Sequence, residues 1–204
     1  MARTAPTRRA PTREEVVIRP AGEADAPALA RLGSGLARSH HRMDPERFMA
    51  PEPLEPGYAW WLGKEVSNPR AVVLAAVRRG RIVGYAYGRL EGRDWNTLRE
   101  ACGVGVDLVV EARSRGAGLG RRLLDELVRR LGEKGAQMVA IQVAERNPRA
   151  RRLFASLGFR PAMVEMVRAV PAEVLRARTP RRAAAGRGRG ASRRTSRGRP
   201  GVGS

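Results

Sequence analysis

Apolar residues recur along this chain in two rhythms, alternation and a period of about 3.6, and the switches between them predict its elements. Val16, Val17 and Ile18, between Glu15 and Arg19, form a β-branched run ended by Pro20, the expected first strand. Leu29, Leu32 and Leu36 then share one helical face, with Asp25 ahead of them as N-cap and Pro27 in the first turn. Residues 40–57 hold four prolines and little periodicity, which predicts a long connection. Residues 58–66 read as a second short helix, stopped by Asn68-Pro69. Ala71–Val77 and Ile82–Gly88 are strand-like, joined by a tight turn over Arg78–Arg81, and Gly84 marks a bulge. Arg89–Ala101 is polar and loop-like, and Gly105–Val110 is the next strand.

Leu119, Leu123, Leu124, Leu127, Val128 and Leu131 line one face of a further helix, which Gly132 and Gly135 end. Gln137–Ala144 alternates loosely as a strand. Asn147-Pro148 opens a helix through Leu157 with Gly158 at its C′ position, and Met163–Val170 is expected as a last strand. The order β-α-α-β-β-β-loop-α-β-α-β predicts a mixed α/β domain.

Composition divides the chain into three. Residues 1–13 carry four arginines and residues 181–204 carry eight, with no acid in either, which leaves +8 of the net +20 for residues 14–180. The tail at 179–204 is Arg, Gly, Ala and Ser with little else, so it cannot bury enough surface to offset its ordering entropy. The expectation is a folded domain over 14–178 between two disordered basic tails. No apolar run is long enough to span a bilayer, and the N-terminus lacks the apolar segment of a secretory signal, so a cytoplasmic protein is expected. Cys102 is the single cysteine, in an apolar stretch, and reads as a small core residue.

The chemistry begins after the strand ending at Val110. Arg115-Gly116-Ala117-Gly118-Leu119-Gly120 runs directly into an amphipathic helix. Glycines let backbone N–H groups approach a ligand, and a helix N-terminus adds partial positive charge, so the segment forms an anion site suited to a pyrophosphate. Arg115, Arg121 and Arg122 add formal charge. A Walker loop needs Gly-Lys-Ser/Thr, but Arg121 and Arg122 follow Gly120. A dinucleotide fingerprint needs G-x-G-x-x-G, and glycines at 116, 118 and 120 do not fit it. The remaining pattern, Arg-x-x-Gly-x-Gly at 115, 118 and 120, resembles the coenzyme A pyrophosphate loop of the GNAT superfamily of N-acetyltransferases. Asn147-Pro-Arg-Ala150 through Phe154 to Gly158-Phe159 is similar to the second signature of that family. The resemblance covers residues 15–170.

The resemblance implies the acyl-CoA N-acyltransferase (GNAT) fold: a mixed, mostly antiparallel central sheet flanked by helices, with two strands splayed around acetyl-CoA. It implies that Leu108, Val109 and Val110 offer backbone groups to the pantetheine arm. Backbone N–H groups from Arg115 to Arg121 (Gly116, Ala117, Gly118, Leu119 and Gly120 between them) would hold the pyrophosphate. Asn147 would contact the pantetheine region or help place the acceptor. A backbone N–H near Val110 would polarise the acetyl carbonyl. The implied reaction is direct attack of a primary amine on acetyl-CoA as co-substrate, without a metal. Phe154 departs from the pattern, because many members carry there a Tyr that protonates the leaving thiolate.

The base is open. Asp107 and Glu111 flank the strand lining the acetyl site, each also readable as a solvated strand-end carboxylate, and Glu145 and Glu165 are weaker choices. His40 and His41 read as exposed loop histidines, with a role as base the alternative. Asp44, Glu46, Phe48, Tyr58, Trp60, Trp61 and Trp95 are expected to shape an acceptor pocket for a cationic amine. Small molecules and proteins are both open as acceptors, and a homodimer is a further expected partner. The C-terminal tail has no aromatic for base stacking, so any nucleic-acid contact through it would be non-specific and electrostatic. Two other readings remain: a non-catalytic acetyltransferase-like module associated with nucleic acid, and a transferase of longer acyl groups.

Overall fold

The computed structural model describes residues 16–177. The predicted tails at 1–13 and 179–204 lie outside the described residues. The chain divides into two compact units, Met1–Val167 and Arg168–Ser204.

The described residues of the first unit form Val17–Pro20 (β1), Ala26–Met43 (α1), Leu54–Glu65 (α2), Ala71–Arg78 (β2), Arg81–Glu91 (β3), Cys102–Val110 (β4), Leu119–Glu133 (α3), Val139–Ile141 (β5) and Pro148–Ala155 (α4). The strands make one sheet in sequence order, antiparallel throughout except for β4 and β5, which run parallel. This is the mixed, mostly antiparallel sheet that the family resemblance implied. Arg79 and Gly80, both at positive φ, make the two-residue turn between β2 and β3, the geometry whose twist suits antiparallel strands.

Two bulges set the course of the sheet. Ala76 pairs with Gly84 but Val77 with Ile82, so Val83 is an extra residue on β3 beside the predicted Gly84. A Cβ on Gly84 would stand 2.7 Å from the Val109 carbonyl oxygen, so glycine is required for β3 to approach β4 there. Tyr87 pairs with Asp107 but Gly88 with Gly105, so Val106 is an extra residue on β4. Beyond it Val109 turns to the face of Tyr85 and Tyr87, while Leu108 and Val110 turn to the other.

Each face has its own core. Leu29, Leu32 and Leu62 from α1 and α2 pack on Val73, Ala75, Tyr85 and Tyr87. Leu119, Leu123, Leu124, Leu127 and Leu131 of α3 pack on Val72, Leu74 and Ala86. These α3 leucines are the predicted helical face, and at about 1.5–3 kcal/mol per buried side chain they hold the helix to the sheet. Cys102 is buried, as its apolar neighbours implied.

Several boundaries differ from expectation. Arg89–Glu91 continue β3 and Cys102–Val104 begin β4, because cross-strand pairing carries polar residues into the ladder. Residues 40–43 belong to α1, not to the connection after it. Asp25 precedes α1 without capping it, since its carboxylate takes the Gly22 N–H at 2.9 Å and the Arg19 guanidinium at 2.6 and 2.9 Å. The strand predicted over Gln137–Ala144 shrinks to three residues. Residues 163–170 form no strand: Met163, Val164, Met166 and Val167 are exposed, and no described strand pairs with them. In the second unit the described residues are 168–177, including the short helix Ala172–Ala177 (α5). Among the described residues no helix is long and apolar enough to cross a membrane.

Candidate active site

The site begins where the sheet comes apart. β4 and β5 pair from Gly103 with Val139 to Gly105 with Ile141, and there the pairing stops. The Val106 bulge lies at the next residue of β4, and the chain after Ile141 leaves the sheet. Among the described residues, one edge of β4 has no neighbouring strand from Val106 to Val110, so the backbone groups that alternate toward that edge have no ladder partners, and the Val110 carbonyl accepts instead from Arg115 Nε. The gap is a small, open cleft of about 50 Å3. Val106 and Leu108 of β4, Ile141 and Val143, Leu124 of α3, Ala150 and Phe154 of α4, and Leu36 of α1 give it apolar walls. His40 and Asp107 are the titratable residues among those lining it.

β4 leads from the cleft into the glycine loop. After a short turn over Ala112–Ser114, Gly116 (φ 86°) and Gly118 (φ 74°) adopt left-handed conformations, and Gly118 is the N-cap of α3. No side chain caps the helix, so the N–H groups of Leu119, Gly120 and Arg121 in its first turn have no intrahelical acceptor. A Cβ on Gly116 or Gly118 would meet no atom, which leaves the surface above the loop open. Positive φ, uncapped amides and open approach together fit a pyrophosphate. The arginines are partly engaged. Arg115 donates from Nε to the Val110 carbonyl at 2.8 Å, Arg121 holds the Ser156 hydroxyl at 2.7 Å, and Arg122 holds the Val16 carbonyl at 2.8 Å. Their side chains fasten the loop and α3 to their surroundings, which leaves the backbone amides as the groups free to meet an anion.

The opposite face of β4 carries the polar chemistry. Asp107 is 8% exposed, and the Tyr85 hydroxyl donates to its Oδ2 at 2.5 Å. Burial raises its carboxyl to about 6, although the Tyr85 hydrogen bond pulls the other way. Tyr85 is wholly buried, and its hydroxyl is driven well above the usual value by burial and then by the Asp107 charge. Tyr58 of α2 is raised to about 12, again by burial first and Asp107 second. α1 closes over this group at Gly33, where a Cβ would stand 2.5 Å from the Tyr58 ring and 2.6 Å from the Tyr85 hydroxyl. The sequence marked Tyr58 as a pocket residue, and its convergence with Tyr85 on Asp107 was missed. A glycine inside the helical pattern at Gly33 was the available signal.

The remaining expected residues fall into different places. Glu111 stands at the end of β4 in ion pairs with Arg81 at 2.5 Å and Arg31 at 3.6 Å. Asn147 caps α4, its side chain accepting from the Ala150 N–H at 3.1 Å. Phe154 lines the cleft and packs near Phe159. Glu145 pairs with Arg151, and Glu165 pairs with Arg47 at 2.5 Å. Trp95 is 74% exposed beneath the Arg93 guanidinium and does not line the cleft, because β3 and β4 carry it to the end of the sheet where β4 begins. Trp60 is exposed beside Lys64, and Trp61 packs edge-on to Tyr58 and Tyr87. Asp44 accepts the Arg47 N–H in the connection after α1, and Glu46 is exposed there. Neither His40 nor His41 is an exposed loop residue, since both belong to α1 and both are partly buried. Among the described residues no cluster of His, Cys, Asp and Glu could hold a metal ion.

Residues 36–159 match the model of the acetyltransferase (GNAT) family. The chain belongs to this family. Its fold is shared with a four-fold mutant of the BH1408 protein of Bacillus halodurans, at 25% identity and TM-score 0.66, covering 76% of this chain and 99% of that one. An aminoglycoside N-acetyltransferase in complex with CoA matches at 15% identity and TM-score 0.61, covering 78% and 98%. A predicted acetyltransferase with acetyl-CoA from Clostridium acetobutylicum matches at 16% identity and TM-score 0.60, covering 75% and 96%. No curated protein matches the chain.

Proposed function

We propose that the protein transfers an acetyl group from acetyl-CoA to a primary amine in a ternary complex. The observation that carries this is the unpaired edge of β4 between Val106 and Val110, with the glycine loop at one end and buried Asp107 on the face beneath α1. In this reading backbone groups of Leu108, Val109 and Val110 align the pantetheine arm. Gly116, Ala117, Gly118, Leu119 and Gly120, between Arg115 and Arg121, hold the pyrophosphate. Asn147 shapes the far wall through its cap on α4, and Phe154 closes the apolar floor.

Asp107 is the group best suited to take the proton of an arriving ammonium. Its carboxyl near 6 is ionised at neutral pH and close enough to it to return the proton to solvent. Among the described residues Tyr85 is its only hydrogen-bond partner, so Oδ1 is free to meet the amine. Glu111 assists from the strand end by keeping Arg81 and Arg31 in place. The acceptor is a small cationic amine, a reading supported by Asp107 as the single buried carboxylate among the described residues and by aminoglycoside acetyltransferases among the structures that share the fold.

The test is thiol release on mixing the protein with acetyl-, propionyl- or succinyl-CoA and an aminoglycoside, a polyamine, an amino acid or a lysine peptide. Turnover should be fastest with acetyl-CoA. Preference for a longer acyl group revises the donor. No turnover with any pair, together with tail-dependent DNA binding, establishes the non-catalytic alternative.

A further inference from the structure

His40 is held in an unusual way for a helical histidine. It lies near the end of α1, half-buried, and it lines the cleft between the splayed strands together with Gly105, Val106, Asp107 and Phe154. Its ring stacks on Phe48 with centroids 5.1 Å apart and planes 25° from parallel. Phe48 is fixed in turn, because its carbonyl meets His41 Nδ1 at 2.6 Å and its N–H donates to the Asp44 carbonyl at 3.0 Å. The two neighbouring histidines therefore differ: His41 is used up in fixing Phe48, whereas neither ring nitrogen of His40 has a hydrogen-bond partner among the described residues. Burial lowers the His40 pKa below its usual value, so the imidazole is neutral at pH 7.

The same cleft has a proton to move and no hydroxyl to move it. Phe154 offers only a ring, and Gln142 is the one other side chain with polar atoms lining the space besides His40 and Asp107. A primary amine that arrives as an ammonium must lose two protons during acetyl transfer. One leaves before attack, and the other leaves as the amide forms.

We propose that His40 carries the second of these protons from the amine nitrogen to the sulfur of CoA. This rests on the acetyltransfer reading above. The nitrogen lone pair forms the C–N bond, and the carbonyl π pair moves onto oxygen. As that pair returns, the C–S bond breaks and its electrons leave on sulfur. The surplus nitrogen proton passes to a free ring nitrogen of His40, and the imidazolium delivers it to the thiolate. The products are the amide and the free thiol, and His40 ends neutral as it began. Asp107 serves the earlier proton, so the two titratable side chains of the cleft divide the work.

The experiment compares wild type, His40→Gln and His40→Ala with acetyl-CoA and the best amine from the panel above. Both variants should lose about 10²-fold in kcat, with CoA affinity by titration within about twofold. Added imidazole should restore part of the kcat of His40→Ala and leave wild type unchanged; such rescue requires a folded variant. Phe48→Leu should lower kcat by a smaller factor, as a positioning residue. Turnover by wild type with His40→Gln at full kcat overturns the inference alone, as does a loss confined to CoA binding. A wild type that releases no thiol with any amine overturns the acetyltransfer reading and this inference together.

Discussion

The two faces of β4 are built from different materials. On the side of Leu108 and Val110 lie α3, α4 and the glycine loop, and what this side offers a ligand is backbone: unpaired strand edge, left-handed glycines and the uncapped amides of α3. On the side of Asp107 and Val109 lie α1 and α2, and what this side offers is side chains: Asp107, Tyr85 and Tyr58, with Gly33 closing over them. On the proposed reading, the backbone face binds the donor that every substrate pair shares, and the side-chain face sets protonation and selects the acceptor. Changes on the first face should therefore alter the affinity for CoA, and changes on the second should alter rate, pH dependence and choice of amine.

The sharpest way to break this division is Asp107→Asn. The expected loss in kcat/KM is about 10²–10⁴-fold, with CoA affinity unchanged. The same variant should be more stable at neutral pH, and the sign follows from the carboxyl near 6. Because the folded state holds this proton more tightly than the unfolded chain, with its ordinary value of 3.8, the charged form is a burden on folding. That burden is absent below about pH 4, grows between about 4 and 6, and is complete above. Asparagine still accepts from the Tyr85 hydroxyl, so Asp107→Asn should gain about 1–3 kcal/mol at pH 7 and nothing at pH 4. Thermal melts at the two pH values check it. Equal loss of CoA binding would erase the distinction between the faces.

The opposite face is tested by Gly118→Val. A β-branched residue at φ 74° costs about 1–2 kcal/mol, and the loop can relieve it only by leaving the geometry that exposes its amides. CoA affinity should fall about tenfold, while the acid limb of the pH profile, set by Asp107, stays in place. A shifted limb would mean that the loop and the carboxylate are coupled through β4.

The difference between the faces also explains what could be read from the sequence. A backbone site is made from one contiguous stretch, so the strand, Arg115–Gly120 and the α3 leucines were visible in order, and so was the Asn147–Phe159 segment. The Asp107 cluster joins β4, β3, α1 and α2, and no spacing along the chain reveals that Tyr85 points at Asp107 across the ladder. The Val106 bulge decides which way Asp107 faces, and Gly103, Gly105 and the β-branched residues around it carry no periodicity that marks an extra residue. The histidines were misread because residues 40–43 lack an apolar repeat, yet α1 continues through them, and Phe48 returns to cover His40. Residues 163–170 have the apolar and β-branched content of a strand but no alternation of faces, and no described strand pairs with them.

The smallest expected effect concerns Glu111, and it is informative because it is small. Asp107 lies on β4 and Glu111 just past its end, and from the sequence they looked equivalent as bases. The structure separates them by surroundings. Among the described residues Asp107 is buried with a tyrosine hydroxyl as its only hydrogen-bond partner, whereas Glu111 lies at the strand end in ion pairs with Arg81 and Arg31, and the Arg81 side chain is 62% exposed. Glu111 is held by two guanidiniums at the strand end, away from the cleft residues, so it is not placed to meet an amine. Partly exposed pairs of this kind contribute about 0.2–1 kcal/mol. Glu111→Gln should therefore lower stability by less than about 1 kcal/mol, and kcat/KM should remain within about threefold of wild type, well short of the loss a base produces. Chemical denaturation and steady-state rates measure the two quantities. A hundredfold loss in Glu111→Gln with a mild effect in Asp107→Asn would move the base from the buried face of β4 to its end, and the amine with it.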